Sequence, residues 1–287
     1  MKLGKTCLAT MAAVLCLFLI AGAALGADKA QVLKQQSEKL LETLATESKN
    51  KESVKNVDLF KKAGLSYQPS LVAPMDGVVE CKDKQQLQML MGVYNFDANY
   101  ALLFGRKQEF AAAYDLRNDI PSRLNLLGRF KFKTFTPDEV KKILDKPDNP
   151  ANRDLLINYV DVNLRDMLQA AKNDPEMLDL FLDFVYGSVI EGVYVASKLS
   201  LAAGTGEKLI PLFNDQTDRL SKVWQALQAY SADPELDALA ERTQRGRIMK
   251  PVIEILKAKK GNLGEADVKQ ILSIVEPERN KVAFKCK

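Results

Sequence analysis

Apolar residues recur every three or four positions along nearly the whole chain, and strict apolar–polar alternation is nearly absent. A period near 3.6 puts such residues on one face of a helix. The pattern predicts helices near residues 28–49, 52–63, 82–106, 108–118, 137–145, 150–172, 175–203, 207–230, 234–258 and 265–275. Four of the starts share a device, a capping side chain followed by proline: Thr136-Pro137, Asn149-Pro150, Asp174-Pro175 and Asp233-Pro234. The cap accepts a hydrogen bond from a backbone N–H that the first turn leaves unsatisfied, and proline has no N–H there to leave. Glu139 adds a capping box to Thr136. Residues 64–81, GLSYQPSLVAPMDGVVEC, form the longest irregular stretch. Gly204-Thr205-Gly206 is short enough to set its flanking helices antiparallel. The expected fold is all-α, a multi-helix bundle of antiparallel helices, with an N-terminal helical segment over 27–70 and the main bundle domain over 71–287.

One helix stands out. MGVYNFDANYALLFG, residues 91–105, is strongly apolar yet carries an acid, Asp97. With Tyr94 at the centre of the inward face, Leu87, Leu90, Ala98 and Ala101 lie beside it, and Asp97 falls between Leu90 and Phe104. Met89, Phe96 and Leu103 take the opposite side, so the helix is apolar nearly all round, as a central helix is. A carboxylate sealed there must be hydrogen-bonded, paired or protonated, because a lone buried charge costs several kcal/mol. Tyrosine hydroxyls and arginines are the expected partners.

The same segment is echoed by EGVYVASKLSLAAG at 191–204, one hundred residues on, with Gly-Val-Tyr at 92–94 and again at 192–194. A duplicated helical hairpin and common helix composition account for the echo equally well. Packed together, the two helices would gather Tyr94, Asp97, Tyr100, Glu191, Tyr194, Ser197 and Lys198 into a polar cluster. Two readings of that cluster stand. One is a satisfied network that fixes helix register. The other is the polar floor of a ligand pocket.

Composition narrows the chemistry. The chain has no histidine, which removes Ser-His-Asp and Cys-His relays and histidine-ligated zinc, copper and haem iron. No CxxC occurs. Lys2 and Lys5 precede an apolar run to Ile20 and the small residues AGAALGA, the layout of a secretory signal peptide over 1–26. Its removal lowers the net charge from +4 to +2 and leaves Cys81 and Cys286 as the remaining cysteines. In an oxidising compartment those two are expected to form one disulfide, tying the C-terminal tail to the start of the helix that carries Asp97. No later segment reads as long and apolar enough to cross a membrane. The near-balanced charge gives no basic block for nucleic acid. RFKFKTF at 129–135 interleaves basic and aromatic residues but is short, and reads as a half-buried connector. Trp224 reads as core packing, and the SxxK at Ser48–Lys51 as chance.

GVYNFDANYALLF resembles the GVYxxDxxY helix of uncharacterised exported helical proteins and lipoproteins of Gram-negative bacteria, and residues 191–196, EGVYVA, resemble a later helix in them. The likeness touches Gly92, Tyr94, Asp97 and Tyr100, then Glu191, Gly192 and Tyr194. This chain lacks a well-placed lipid-attachment cysteine. The resemblance implies export and an all-α fold, and no chemistry. The expected protein is therefore non-catalytic and exported to the periplasm, without cofactor or metal. It is read as a ligand-binding or sensory module for a small molecule, or as an envelope scaffold with a filled core and a protein partner. A carboxylate-based hydrolase ranks behind both.

Overall fold

A computed structural model of the chain describes residues 65–203 and 249–284, apart from 77, 79–80, 127–128, 130–132, 147–148, 172–173 and 260–262, together with positions 31, 35 and 38. The expected leader, the helices at 52–63 and 207–230 with Trp224, the Gly204–Gly206 link, the Asp233-Pro234 start, Ser48–Lys51 and Cys286 lie outside the described residues. Among the described residues the fold is all-α, with no strand. Its helices are α1 (Lys84–Leu103), α2 (Lys107–Arg123), α3 (Pro137–Asp145), α4 (Pro150–Ala171), α5 (Pro175–Ala203), α6 (249–259) and α7 (Glu265–Phe284). An irregular strap over 65–83, containing one 3-10 turn at Pro69–Leu71, leads into α1.

The described proline starts are used as read. In α3 the Glu139 N–H donates to Thr136 Oγ1 at 3.2 Å while the Thr136 N–H donates to Glu139 Oε2 at 2.8 Å. Asn149 Oδ1 accepts from the Ala151 N–H at 2.9 Å, and Asp174 Oδ1 from the Glu176 N–H at 3.1 Å. Helix α1 ends at Gly105, whose φ of 66° suits a residue without Cβ. There the Gly105 and Arg106 N–H groups close onto the Leu102 and Ala101 carbonyls, so the turn into α2 is tight.

Two helices run further than the periodicity suggested. Helix α2 continues through Pro121 to Arg123, and α7 continues through Pro277 to Phe284 instead of stopping at 275. An interior proline forfeits one helical hydrogen bond. Burial of Ile120 in α2 and of Val282 and Ala283 in α7 offsets that loss.

Helix α1 touches every part of the core. Leu90, Met91 and Tyr94 pack with Met167 and Leu168 of α4 and Phe181 of α5. Tyr100 joins Val193 and Leu199 of α5, Val252 of α6 and Ile271 of α7. Ala98, Ala101 and Leu102 pack with Phe110 of α2, Ile143 of α3 and Tyr159 of α4. The strap belongs to the same body: Leu71 joins the second cluster, with Leu65 and Tyr67 against it.

The two echo helices are direct neighbours, brought together by glycine. A Cβ on Gly92 would overlap the Phe184 carbonyl oxygen of α5, and one on Gly187 would overlap the Met89 carbonyl oxygen of α1. Ser188 Oγ donates to the Gly92 carbonyl at 2.8 Å, and the Phe96 ring lies against Gly192. Contacts rise together along both helices, from Met89 and Gly187 to Phe96 and Gly192, so α1 and α5 run in the same sense. The expectation of antiparallel neighbours fails for this pair, because chain distance does not fix the direction of helices a hundred residues apart. It holds for α1 with α2, where Asn95 meets Arg117 and Cys81 meets Arg123. It holds also for α5 with α7, where Glu191 meets Arg279 and Lys198 meets Glu276. The hairpin that would complete a duplication after α5 lies outside the described residues.

Contrary to the sequence reading, one later helix is long and apolar enough to cross a membrane, the 27-residue segment Glu176–Ala202 of α5. Its most apolar 18-residue stretch is 83 % buried inside the bundle, and α5 packs against α1, α4 and α7. A central helix of a large core is apolar all round for the same reason as a membrane span.

Gly92→Ala is expected to lower the free energy of unfolding by about 1–3 kcal/mol, although alanine is the better helix former. Urea denaturation of the two proteins tests this, and an alanine variant as stable as the parent would show that the helices do not touch there.

Candidate functional site

The strap lacks a ladder of its own, so its backbone groups must find partners elsewhere. They find them on α1, α2 and α7. The Ala73 N–H donates to Asp97 Oδ2 at 2.9 Å, and the Tyr94 hydroxyl donates to the Pro74 carbonyl at 2.7 Å. The Gln68 N–H donates to the Tyr100 hydroxyl at 3.1 Å. Arg279 Nη2 donates to the Leu71 carbonyl at 3.1 Å. Further along, the Arg123 guanidinium donates to the Val78 and Cys81 carbonyls. Positions 94, 97 and 100 are three apart, so three side chains from one face of α1 pin successive points of the strap.

Behind the strap lies a buried ionic cluster. Glu191 of α5 is 0 % exposed and accepts a two-pronged pair from Arg279 of α7, with Nε to Oε2 and Nη2 to Oε1 both at 2.9 Å. Arg279 is 3 % exposed, and its guanidinium lies over the Tyr194 ring, 4.7 Å from the centroid. Asp97 is 1 % exposed, and its Oδ1 receives no donor as an ionised acid among the described residues. The Glu191 carboxyl is near enough for its charge to act on Asp97. Burial pushes Asp97 well above its ordinary value of 3.8, and the negative Glu191 pushes it further; the Ala73 N–H and Arg279 act the other way. Burial also raises Glu191, opposed by Arg279 and by Asp97. Both carboxyls are thus pushed toward the protonated form, because charge is costly out of water, and Arg279 holds Glu191 back from it. Burial, followed by the nearby Asp97, raises Tyr94 above the ordinary phenol range.

Of the seven expected cluster residues, the structure brings Tyr94, Asp97, Tyr100, Glu191 and Tyr194 together, sets Lys198 at their rim with its Nζ 5.6 Å from the centre of the Tyr194 ring, and leaves Ser197 aside. Lys198 also pairs with Glu276 at 2.7 Å at that half-exposed rim, two turns beyond Glu191 toward the helix end. Ser197 is buried, but its hydroxyl bonds neither Asp97 nor any other described residue. The equivalence of positions 97 and 197 is one of sequence; the helices pack about one turn out of that register, Gly92 against Ser188 and Phe96 against Gly192, so Ser197 lies beyond Asp97. Arg279 was missed. The spacing of Val268, Ile271, Leu272, Val275, Arg279 and Val282 continues one helix face across Pro277, and that continuity was the available signal.

A second polar point joins α1, α2 and α4. Arg117 Nη1 donates to Asn95 Oδ1 at 3.1 Å and its Nη2 to the Tyr159 hydroxyl at 2.8 Å, while the guanidinium lies 4.6 Å from the centre of the Tyr114 ring. Burial pushes Tyr159 up to about 12. The described part of RFKFKTF is spent on this body: Phe135 stacks on Tyr159, and Arg129 pairs with Asp174 and Glu176. Among the described residues no group of three Cys, Asp or Glu side chains is placed to hold a metal. What the central cluster does is hold the strap against α1 and α7. No protein-family model, no curated protein sequence and no solved structure matches this chain.

Arg279→Met leaves Glu191 without its counter-charge and is expected to cost about 3–5 kcal/mol at neutral pH. The deficit should shrink in acid, where Glu191 accepts a proton. Asp97→Asn keeps an oxygen for the Ala73 N–H and an N–H for Glu191, so it should stay within about 1 kcal/mol of the parent at pH 7. Asp97 titrates higher folded than unfolded, so its contribution is complete below the ordinary aspartate range. It is lost as pH rises toward the raised folded value. Asp97→Asn should flatten that slope. Urea unfolding of the three proteins from pH 4 to 9 checks both statements, and an asparagine variant as damaged as the methionine one would show that Asp97 is ionised.

Proposed function

We propose that the chain is a non-catalytic exported helical protein that acts through its outer surface, as an interaction or scaffold component of the cell envelope. The observation that carries this reading is the closure of the polar cluster. Tyr94, Asp97, Tyr100 and Glu191 are each at most 1 % exposed, and each is hydrogen-bonded to the chain's own strap or to Arg279. A hydrolase built on two acids needs them to face an open cleft. A small-molecule pocket at this place needs the strap to be elsewhere. Export rests on the composition of residues 1–26 and brings the oxidising compartment that a Cys81–Cys286 bridge requires. Support for the bridge comes from the packing of Cys81 in one cluster with Val282 and Ala283, and from Gln86 bonding the Val282 carbonyl. Those contacts lay the end of α7 beside the start of α1, a few residues before Cys286.

A thermal-shift screen of the exported protein against envelope metabolites is expected to find no saturable stabilisation at this cluster. A ligand whose shift vanishes in Asp97→Asn, with stability retained, would overturn the reading in favour of a pocket. Non-reducing peptide mapping is expected to recover residues 81 and 286 in one cross-linked fragment. The double serine variant should lose about 2–4 kcal/mol under oxidising conditions and none after reduction of the parent to the same state.

A further inference from the structure

Residues 68–74 of the strap are held in the way a bound peptide is held. Tyr100 accepts from the Gln68 N–H at 3.1 Å, and Arg279 donates to the Leu71 carbonyl at 3.1 Å. Asp97 accepts from the Ala73 N–H at 2.9 Å, and Tyr94 donates to the Pro74 carbonyl at 2.7 Å. The four side chains stand on α1 and α7, and every group they read is main chain. Any segment of the same backbone shape can make those bonds. The shape is set by two prolines. Pro69 opens the single turn to Leu71, and Val72 leaves it extended, at φ −76° and ψ 157°. Pro74 holds the residue before it to extended backbone. Along an extended chain side chains alternate, and Leu71 and Ala73 are buried while Val72 and Pro74 are half-buried. Leu71 joins the cluster of Tyr100, Ile190 and Val193, and Ala73 that of Leu90 and Tyr94. Main-chain bonds that give affinity, with pockets for alternate side chains that give selectivity, are the pattern of peptide recognition.

We propose that this face of α1 and α7 is a peptide-binding groove that the chain fills in cis, and that it accepts a segment of a partner protein with the same pattern, Pro-x-Leu-x-Ala-Pro, in place of residues 69–74. The strap is built to be exchanged. Its described internal backbone bonds are those of single turns, such as the Leu71 N–H to the Gln68 carbonyl at 3.1 Å, whereas α1 and α7 keep their own helical ladders. Arg123 holds the Val78 and Cys81 carbonyls, so the strap pivots ahead of Val78 and the start of α1 stays in place. A partner segment with the same main chain and anchors restores each contact the strap gives up, so the exchange leaves no groove side chain unpaired. Tethering sets the competition. A segment on a short link acts at an effective concentration in the millimolar range, so a partner must bind the groove more tightly than the strap does. The proposal names an occupant for a face that the scaffold reading leaves closed, and neither rests on the other.

The probe is a fluorescent peptide of residues 66–76, SYQPSLVAPMD, with blocked ends. The receptor is the full chain carrying Leu71→Asp, which takes away the strap's apolar anchor and leaves the groove side chains unchanged. Fluorescence anisotropy should show saturable binding to this variant, and binding at least about tenfold weaker to the parent, whose strap competes. Adding Tyr100→Phe to the receptor, which removes the acceptor for the Gln68 N–H, should weaken binding about fivefold. The same peptide with Leu71→Asp should not bind. Absence of saturable binding to the folded variant, or equal binding by variant and parent, would overturn the groove. A dimer of the parent that the peptide dissolves would assign the groove to the strap of a second copy and overturn the partner reading. Hydrogen exchange on the parent needs no variant. With the unlabelled peptide at about 1 mM, near the strap's own effective concentration, protection at Gln68 and Ala73 should fall while interior amides of α1 hold. Unchanged strap protection would overturn the proposal even if Leu71→Asp failed to fold.

Discussion

Two buried carboxyls and one guanidinium, drawn from three helices, set the terms for the middle of this protein. Glu191 and Arg279 neutralise each other through a two-pronged pair, and burial beside the negative Glu191 pushes Asp97 toward its protonated form. The arrangement joins α1, α5 and α7 at one point. Through Asp97 and Arg279 it also reaches the strap, which has little regular structure to hold it in place. Removing charges from water is expensive, so a buried cluster of this kind is not in itself a source of stability. Its effect is on geometry: few arrangements of three helices and a strap satisfy all of these groups at once.

The glycine contact makes that meeting possible. Gly92 and Gly187 let two helix backbones approach to the point where any larger residue would collide. Asp97 is a turn and a half beyond Gly92, and Glu191 one turn beyond Gly187. Because α1 and α5 run in the same sense, both acids leave the crossing on the same side and arrive together. An antiparallel pair crossing at the same glycines would carry them apart. Arg279 can then serve both the acid and the strap only because α7 continues through Pro277 for two further turns.

The closed cluster also explains why a chain rich in polar hints supports so little chemistry. The residues that suggest a site are there, and most of them do meet. They meet under a cover made by the chain itself, with the strap's backbone in the positions that a ligand's polar atoms would take.

Helix positions, the proline-capped starts, the all-α class, the centrality of α1 and the oddity of Asp97 could all be read from residue order, because they follow from spacing within a few turns. The irregular stretch before α1 could be read as irregular, though not as the partner of Asp97, since backbone donors leave no mark in a sequence. Ser197 was misplaced because a repeated motif does not fix the offset at which two distant helices pack. Arg279 went unnoticed because the helix was read only to 275, and local propensity yields to burial when apolar residues beyond a proline have a core to enter. Short-range chemistry thus set the elements and singled out the acid. Its neighbours and the strap that closes over it depend on contacts between residues up to 208 positions apart, which no local pattern encodes.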